Sequence, residues 1–353
     1  MAVKYLASKR ITGTNAERTA SSLPAGIATG WKLVDRTSLS SANDDIHVSS
    51  LANKRYYMTL THLLDNGSAI DAYFRFNDDT NNNYYNRQMQ RGGSDSTNTT
   101  DGMTLTGGSA SDIFGVQYIS NKADKQKLMI NPVTFYGGGT SAGTAVDKYE
   151  TVGLWNESSN AINKITTHNY SAGSYNTDSE VVVLGYDPTD TASTDTWEEL
   201  YSGDLSGGEA TDLTATITAK KYLWIQLYSE RNSAADVQPV LQFNGDTGSN
   251  YPFRTSTNGS EQSFTSKTLL GVGWMATNKL FCNVFLVNPA STEKLSTWWG
   301  VGNNTSGAGT APDKILGNGK WTNTSDQITT VKLFEQDGYT FSTNTTMKIW
   351  GFD

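Results

Sequence analysis

The chain has 353 residues, 36% of them hydrophobic and only 18% charged, with a formal net charge of -8. That acidic balance argues against the basic surface that nucleic-acid phosphates require, and the single cysteine, Cys282, excludes an intrachain disulfide or a multi-cysteine metal centre. Gly, Ser, Thr and Asn replace helix formers, which points to short strands and polar loops, and 11% aromatics supply bulk for real cores.

Residues 1–28 are rich in Ser, Thr, Gly and Ala and read as an extended arm. Met1 to Arg10 lack the apolar run of a secretory leader. No stretch approaches the roughly 20 apolar residues of a membrane span. Synthesis in a cytoplasm, with no membrane contact, is the expectation.

Strand signals follow. Tyr56 to Leu60 and Ala72 to Phe76 are short, aromatic or β-branched, and bounded by turn residues. The next loop, Asn77-x-Asp79-x-Asn81-x-Asn83, spaces oxygen side chains at every second position. Alternate oxygens can converge on Ca2+, which takes about six to eight oxygen ligands, or they can form an Asx-rich turn capping a strand. The loop has no closing bidentate Glu, so its charge for a cation is weak. Lys122 to Lys127 fit a single helical turn, and the glycines from Gly137 to Gly139 mark a loop. Val181 to Leu184 form a further strand, closed by Gly185-Tyr186-Asp187.

The same signals then recur. Trp31 returns as Trp197 and Lys54-Arg55-Tyr56 as Lys220-Lys221-Tyr222, each 166 residues on. Phe76-Asn77-Asp78-Asp79-Thr80 returns as Phe243-Asn244-Gly245-Asp246-Thr247, and Tyr84 and Arg87 as Tyr251 and Arg254. Trp155, Ile162 and Ile165 match Trp321, Ile328 and Val331, and Gly185-Tyr186-Asp187 matches the final Gly351-Phe352-Asp353. Asn131-Pro132 pairs with Asn288-Pro289 only if a loop differs by several residues. A period this long is a whole domain and not a solenoid unit.

In the second copy Tyr222 to Leu227, Pro239 to Phe243 and Met347 to Trp350 are strands. Lys279 to Val287 is apolar on both faces, so it is expected to be covered on both sides. Cys282 within it reads as a small buried hydrophobe. Trp298-Trp299 has no partner in the first copy. It is a candidate for a copy-specific surface able to stack on a sugar ring, or for a core or subunit contact.

Chemistry is thinly represented. His47, His62 and His168 are the only histidines, and no Gly-x-Ser-x-Gly elbow is present. Asp35, Asp112, Glu150, Glu198 and Glu199 form no recognisable acid pair. No catalytic residue is assigned, and the chain reads as a non-enzyme.

The opening Val3 to Ala20 resembles the start of virion proteins from environmental, especially marine, tailed viruses. Arg75-Phe76-Asn77-Asp78-Asp79-Thr80-x-x-Asn83-Tyr84 resembles a loop of β-rich phage structural proteins, whose domains also end in a short strand with Gly and an aromatic. The second copy departs from that pattern with Gln242 in place of Arg75. The resemblance implies a virion structural protein, in capsid, head decoration, fibre or tail, whose partners are copies of itself and other virion proteins.

The expectation is therefore an all-β chain. An N-terminal arm (1–28) precedes two tandem antiparallel, jelly-roll-like β-sandwich domains (29–187 and 188–353). No cofactor is expected unless Asn77, Asp79, Asn81, Asn244 and Asp246 hold Ca2+. Host-surface glycan is a further candidate partner, through Trp298 and Trp299.

Overall fold

The computed structural model describes residues 27–107, 110–137, 139, 141–187, 196–232, 238–273, 278–303 and 309–353. Most of the expected arm, residues 1–26, and the connector from 188 to 195 lie outside them. The chain is all-β. The first half holds β1 (Ile27–Ser38), β2 (Asp45–Val48), β3 (Tyr56–Leu63), β4 (Ala72–Phe76), β5 (Tyr84–Gln90) and β6 (Ser96–Thr100). It continues with β7 (Met103–Thr104), β8 (Ile113–Ser120), β9 (Lys127–Phe135), β10 (Asp147–Trp155), β11 (Ile165–Asn169) and β12 (Glu180–Tyr186). The second half holds β13 (Thr196–Asp204), β14 (Asp212–Thr216), β15 (Tyr222–Glu230), β16 (Pro239–Phe243), β17 (Tyr251–Thr257) and β18 (Ser260–Lys267). Then come β19 (Lys279–Val287), β20 (Lys294–Asn303), β21 (Asp313–Trp321), β22 (Thr330–Glu335) and β23 (Thr346–Phe352).

Strand pairing follows the repeat. One continuous antiparallel ladder runs β18-β17-β21-β20-β19-β15-β23-β13-β1-β12-β3-β8-β9-β10-β5-β6. The order is the same on either side of the β13–β1 junction. Small sheets β2-β11-β4-β7 and β14-β22-β16 cover one face of each half. The layers are unequal because the β8–β9–β10 and β19–β20–β21 meanders widen only the large sheets. Both halves share one ladder across β1 and β13, where Ile27 pairs with Glu198 and Lys32 with Thr196.

Alternation explains the layers. Along β3, Tyr57 and Leu63 point into a core with the small sheet, which also holds Phe74, Phe76, Tyr84 and Trp155. Met58 and Leu60 point the other way, into a seam core with Phe114, Val182 and Leu184. The second half divides likewise. Ile225, Val284 and Trp321 face its own small sheet, and Trp197, Tyr222, Phe285 and Phe352 enter the same seam. The two large sheets therefore pack face to face, but β19 is covered on both sides only over residues 284–287, short of what its apolar run predicts: Phe281 is 41% exposed and Asn283 half-buried where the sheets part. Cys282 lies in the second core, where burial pushes its thiol well above the ordinary range.

One sequence match is corrected. Asn288 corresponds to Asn121 and not to Asn131. The Asn121 amide donates to the Lys54 carbonyl at 3.0 Å and its Oδ1 accepts from Ile162 N at 2.6 Å. The Asn288 amide donates to the Lys220 carbonyl at 3.0 Å and its Oδ1 accepts from Ile328 N at 2.7 Å. The repeat therefore keeps a nearly constant offset, and the Asn-Pro match is a coincidence of composition. Asn131 pairs in its ladder with Thr151, as Trp298 pairs with Gly317.

Polar groups tie the seam. Tyr222 Oη donates to Glu180 Oε2 at 2.7 Å, and Lys221 Nζ reaches the same oxygen at 2.7 Å. Thr134 Oγ1 donates to the Ser296 carbonyl at 2.6 Å, and the buried Lys148 meets Glu261 at 2.8 Å. His62 pairs in its ladder with Glu180. Burial, with help from Lys221, pushes the His62 pKa from 6.5 down to about 3.

Two predictions follow from this packing. In urea the halves unfold in one transition, and Leu60→Ala lowers stability by about 2–5 kcal/mol; two separated transitions would show that the halves are independent. A depressed histidine pKa stabilises fully above the unfolded value of 6.5, and that stabilisation falls by about 1.4 kcal/mol per pH unit below it. Asp112, raised by burial from 3.8 to about 6, acts in the opposite sense as pH drops. Comparing His62→Gln with the parent chain between pH 7.5 and 5 isolates the histidine, because Asp112 is common to both: below pH 6.5 the parent should lose stability relative to the variant by about 1.4 kcal/mol per pH unit.

Candidate functional site

Two groups of residues stand out, the repeated Asx loops and a cleft where the large sheets part. In the first loop Asp79 is enclosed by donors. Its Oδ2 accepts from Trp155 Nε1 at 2.8 Å and from Asn83 Nδ2 at 3.0 Å. Its Oδ1 accepts from the backbone N and side-chain amide of Asn81 at 3.0 and 2.9 Å. Burial alone would raise the Asp79 pKa, but the donors from Asn83, Trp155 and Asn81 outweigh it and hold the carboxyl below 3.8. Asp246 repeats the arrangement, with Trp321 Nε1 at 2.6 Å, Asn250 Nδ2 at 2.9 Å and Gly248 N at 2.8 Å.

Asn77 and Asn244 turn elsewhere. Asn77 Oδ1 accepts from Asn163 N at 2.8 Å, and its amide donates to the Ala161 carbonyl at 2.9 Å. Asn244 Oδ1 accepts from the backbone N of Thr329 and Thr330, each at 2.9 Å. Both asparagines, and Asp78, adopt positive φ, which short polar side chains tolerate. The oxygens that the spacing offered to Ca2+ therefore do not converge. Each carboxylate faces N–H groups, which a cation could not replace without leaving the indole of Trp155 or Trp321 unpaired. The donor set fits the turn and does not fit the ion.

Each tryptophan is also packed. Tyr84 stacks on Trp155 at 6.0 Å, and its hydroxyl accepts from Phe76 N at 2.9 Å and donates to the Asp79 carbonyl at 3.1 Å. Tyr251 and Trp321 do the same. Arg75 has a local role, pairing with Asp101 and with Tyr170 Oη at 2.6 Å, while Gln242 in its place donates to the Thr268 carbonyl.

Trp298 and Trp299 lie on opposite faces of β20. Trp298 is buried in the core of the second half, seated against Gly317, where any Cβ would collide with its ring. The expected surface contact is therefore unavailable to Trp298. Strand alternation sends neighbouring side chains to opposite faces. Trp299 stays partly open, stacked on Phe285 at 5.2 Å with Tyr118 edge-on at 6.1 Å.

Trp299 lines a cleft of about 760 Å³ between the two large sheets. One wall carries Tyr118, Ile130 and Val152 from the first half, and the other carries Trp224, Gln226 and Asn283 from the second. The volume suits a small-ligand site, mostly apolar with a few polar groups. Sequence reasoning missed all of these but Trp299. The available signal was a difference between the copies: Gln226 and Asn283 stand where the first half has Leu60 and Val116.

The histidines and acids are scattered. His47 Nδ1 lies 3.0 Å from Thr166 Oγ1, and His168 Nδ1 lies 2.7 Å from Asp45. Glu150 pairs with Lys148, Glu198 with Lys220 and Glu199 with Lys348. Among the described residues no group of three or more His, Cys, Asp or Glu is placed to hold a metal.

Asp79→Ala leaves the Trp155 N–H and two asparagine amides without their acceptor, a loss of about 1.5–3 kcal/mol. Thermal denaturation should show that loss, and neither EDTA nor added Ca2+ should move the parent midpoint. A Ca2+-dependent rise that vanishes in Asp79→Ala would restore the cation.

No family model matches the chain, and no curated protein matches it. Among solved structures it was aligned with human GIVD cytosolic phospholipase A2, at 7% identity and a TM-score of 0.11. The alignment covers 76% of this chain and 33% of that one, so the chain spans about a third of that protein's length. A likeness this slight carries no argument about fold or activity.

Proposed function

We propose that the chain is a structural component of a virus particle, acting through assembly with copies of itself and with other particle proteins. One observation carries the reading. On the seam side of the first large sheet, where it runs out beyond its contact with the second, Ile130, Leu128, Val152 and Tyr85 are 59%, 55%, 51% and 47% exposed. They are neighbours across strands, since Val152 pairs with Ile130, and Leu154 with both Leu128 and Tyr85. A contiguous exposed apolar strip marks an interaction surface. The resemblance of the Arg75 to Tyr84 segment to β-rich phage structural proteins supports the same reading. Such a protein is made in the host cytoplasm and resides in the particle, and the reading assigns it no reaction.

The cleft favours a second reading, a glycan-binding host-attachment module. Trp299 offers a partly open ring beside the amides of Gln226 and Asn283. The two readings share Ile130 and Val152, which a neighbouring copy and a bound glycan would compete for, while Leu128 and Tyr85 belong to the strip alone.

Light scattering after size exclusion tests the first. The full chain should give a defined oligomer, and Leu128→Asp with Tyr85→Asp, which lie outside the cleft, should reduce its mass. A version lacking residues 1–26, which end just before β1, reads the contribution of the arm. A monomer in every form would overturn the assembly reading.

A further inference from the structure

The repeat shows what each position on the seam sides of the large sheets requires. In the first half Leu60 and Val116 are fully buried in the seam. In the second half the matching positions hold Gln226 and Asn283, which line the cleft. Polar side chains in the middle of a sheet face are unfavourable unless they meet water or a ligand. Their orientation is set from within the fold: Asn283 Oδ1 accepts from Trp224 Nε1 at 2.9 Å and from Gln226 Nε2 at 3.1 Å. The Asn283 amide nitrogen and Gln226 Oε1 remain, an adjacent donor and acceptor with no partner among the described residues. Trp299 is the ladder partner of Asn283 on the next strand.

The other cleft groups narrow the ligand. Arg87 is paired with Asp95 at 3.4 Å, and Glu150 with Lys148 at 2.9 Å, so the rim offers no unpaired charge of this kind. A hydrocarbon would leave the donor and acceptor unsatisfied. An extended peptide pairs with a sheet edge, whereas the cleft is bounded by sheet faces. What remains is an uncharged molecule with an apolar face and closely spaced hydroxyls.

We propose that the cleft binds a neutral saccharide, with the C–H face of one ring on Trp299 and its hydroxyls on Asn283 Nδ2 and Gln226 Oε1. Ile130 and Val152 form the opposite wall. This rests on the second reading above and gives it a site and a ligand class.

The test presents the full chain to an array of neutral oligosaccharides of glucose, galactose, mannose and N-acetylglucosamine. At least one should bind, and Gln226→Leu with Asn283→Val should weaken it at least tenfold. Those substitutions install the residues that the first half already carries but remove the acceptor of Trp224 Nε1, so the melting midpoint is followed beside the binding, and the loss is read at a temperature where the variant is fully folded. Methyl NMR of the unmodified chain gives a second readout: Ile130 and Val152 signals should shift on titration with the bound oligosaccharide. Binding unchanged in the double variant, or unmoved Ile130 and Val152 methyls, would overturn the cleft assignment and leave the glycan reading standing. No binding on the array would overturn both.

Discussion

The structure depends on one constraint, that each large sheet is apolar on both faces while each small sheet can cover only one. Tyr57 and Leu63 bury one face of β3 and Met58 and Leu60 the other. A lone half would leave Leu60, Phe114, Val116, Val182 and Leu184 in water, at about 1.5–3 kcal/mol for each large side chain. The second half supplies the cover with Trp197, Tyr222, Phe285 and Phe352. The ladder through β1 and β13 sets the register of that contact, and the large sheets then close on each other. Duplication here joins two similar parts through a shared core and a shared ladder.

Within each half the repeated clamp of Asp, Tyr and Trp plays the corresponding local role. It joins the turn after β4 or β16 to the end of β10 or β21, elements far apart in sequence. Its strength comes from charge: an ionised carboxylate accepting several N–H groups makes stronger bonds than neutral pairs do. The same geometry explains why a motif with the spacing of a cation loop serves as a turn. The oxygens alternate along the chain, but asparagines at positive φ direct their side chains to the neighbouring loop, at Ala161 and Asn163 in one half and at Thr329 and Thr330 in the other.

The cleft arises where the two halves stop being alike. Thr134, Ser296 and Asn318 close the seam on one side. Beyond them the faces part between Ile130 and Val152 on one wall and Trp299 and Asn283 on the other. The second half carries amides there while the first keeps aliphatic residues, so the walls are chemically unequal. An exact repeat would have had no reason for that inequality. A fused pair is free to diversify one face while the other preserves the contact, which a symmetric homodimer cannot do.

Local chemistry made much of this legible from sequence. The strands declare themselves by period and by turn residues, β19 by an apolar run on both faces, and the repeat by Trp31 and Trp197, Tyr84 and Tyr251, Trp155 and Trp321. These are properties of short segments, and the backbone rules that act on them are local. Three things were settled only by tertiary structure. Asn288 found its true partner, Asn121, through equivalent carbonyl and N–H contacts. Trp298 and Trp299, adjacent in sequence, parted to a core and a cleft because strand neighbours face opposite ways and only one side of β20 faces the core of the second half, where Trp298 meets Phe253 and Gly317. And the halves met face to face because the second apolar face of each large sheet needs a cover that no stretch of sequence, read alone, can identify.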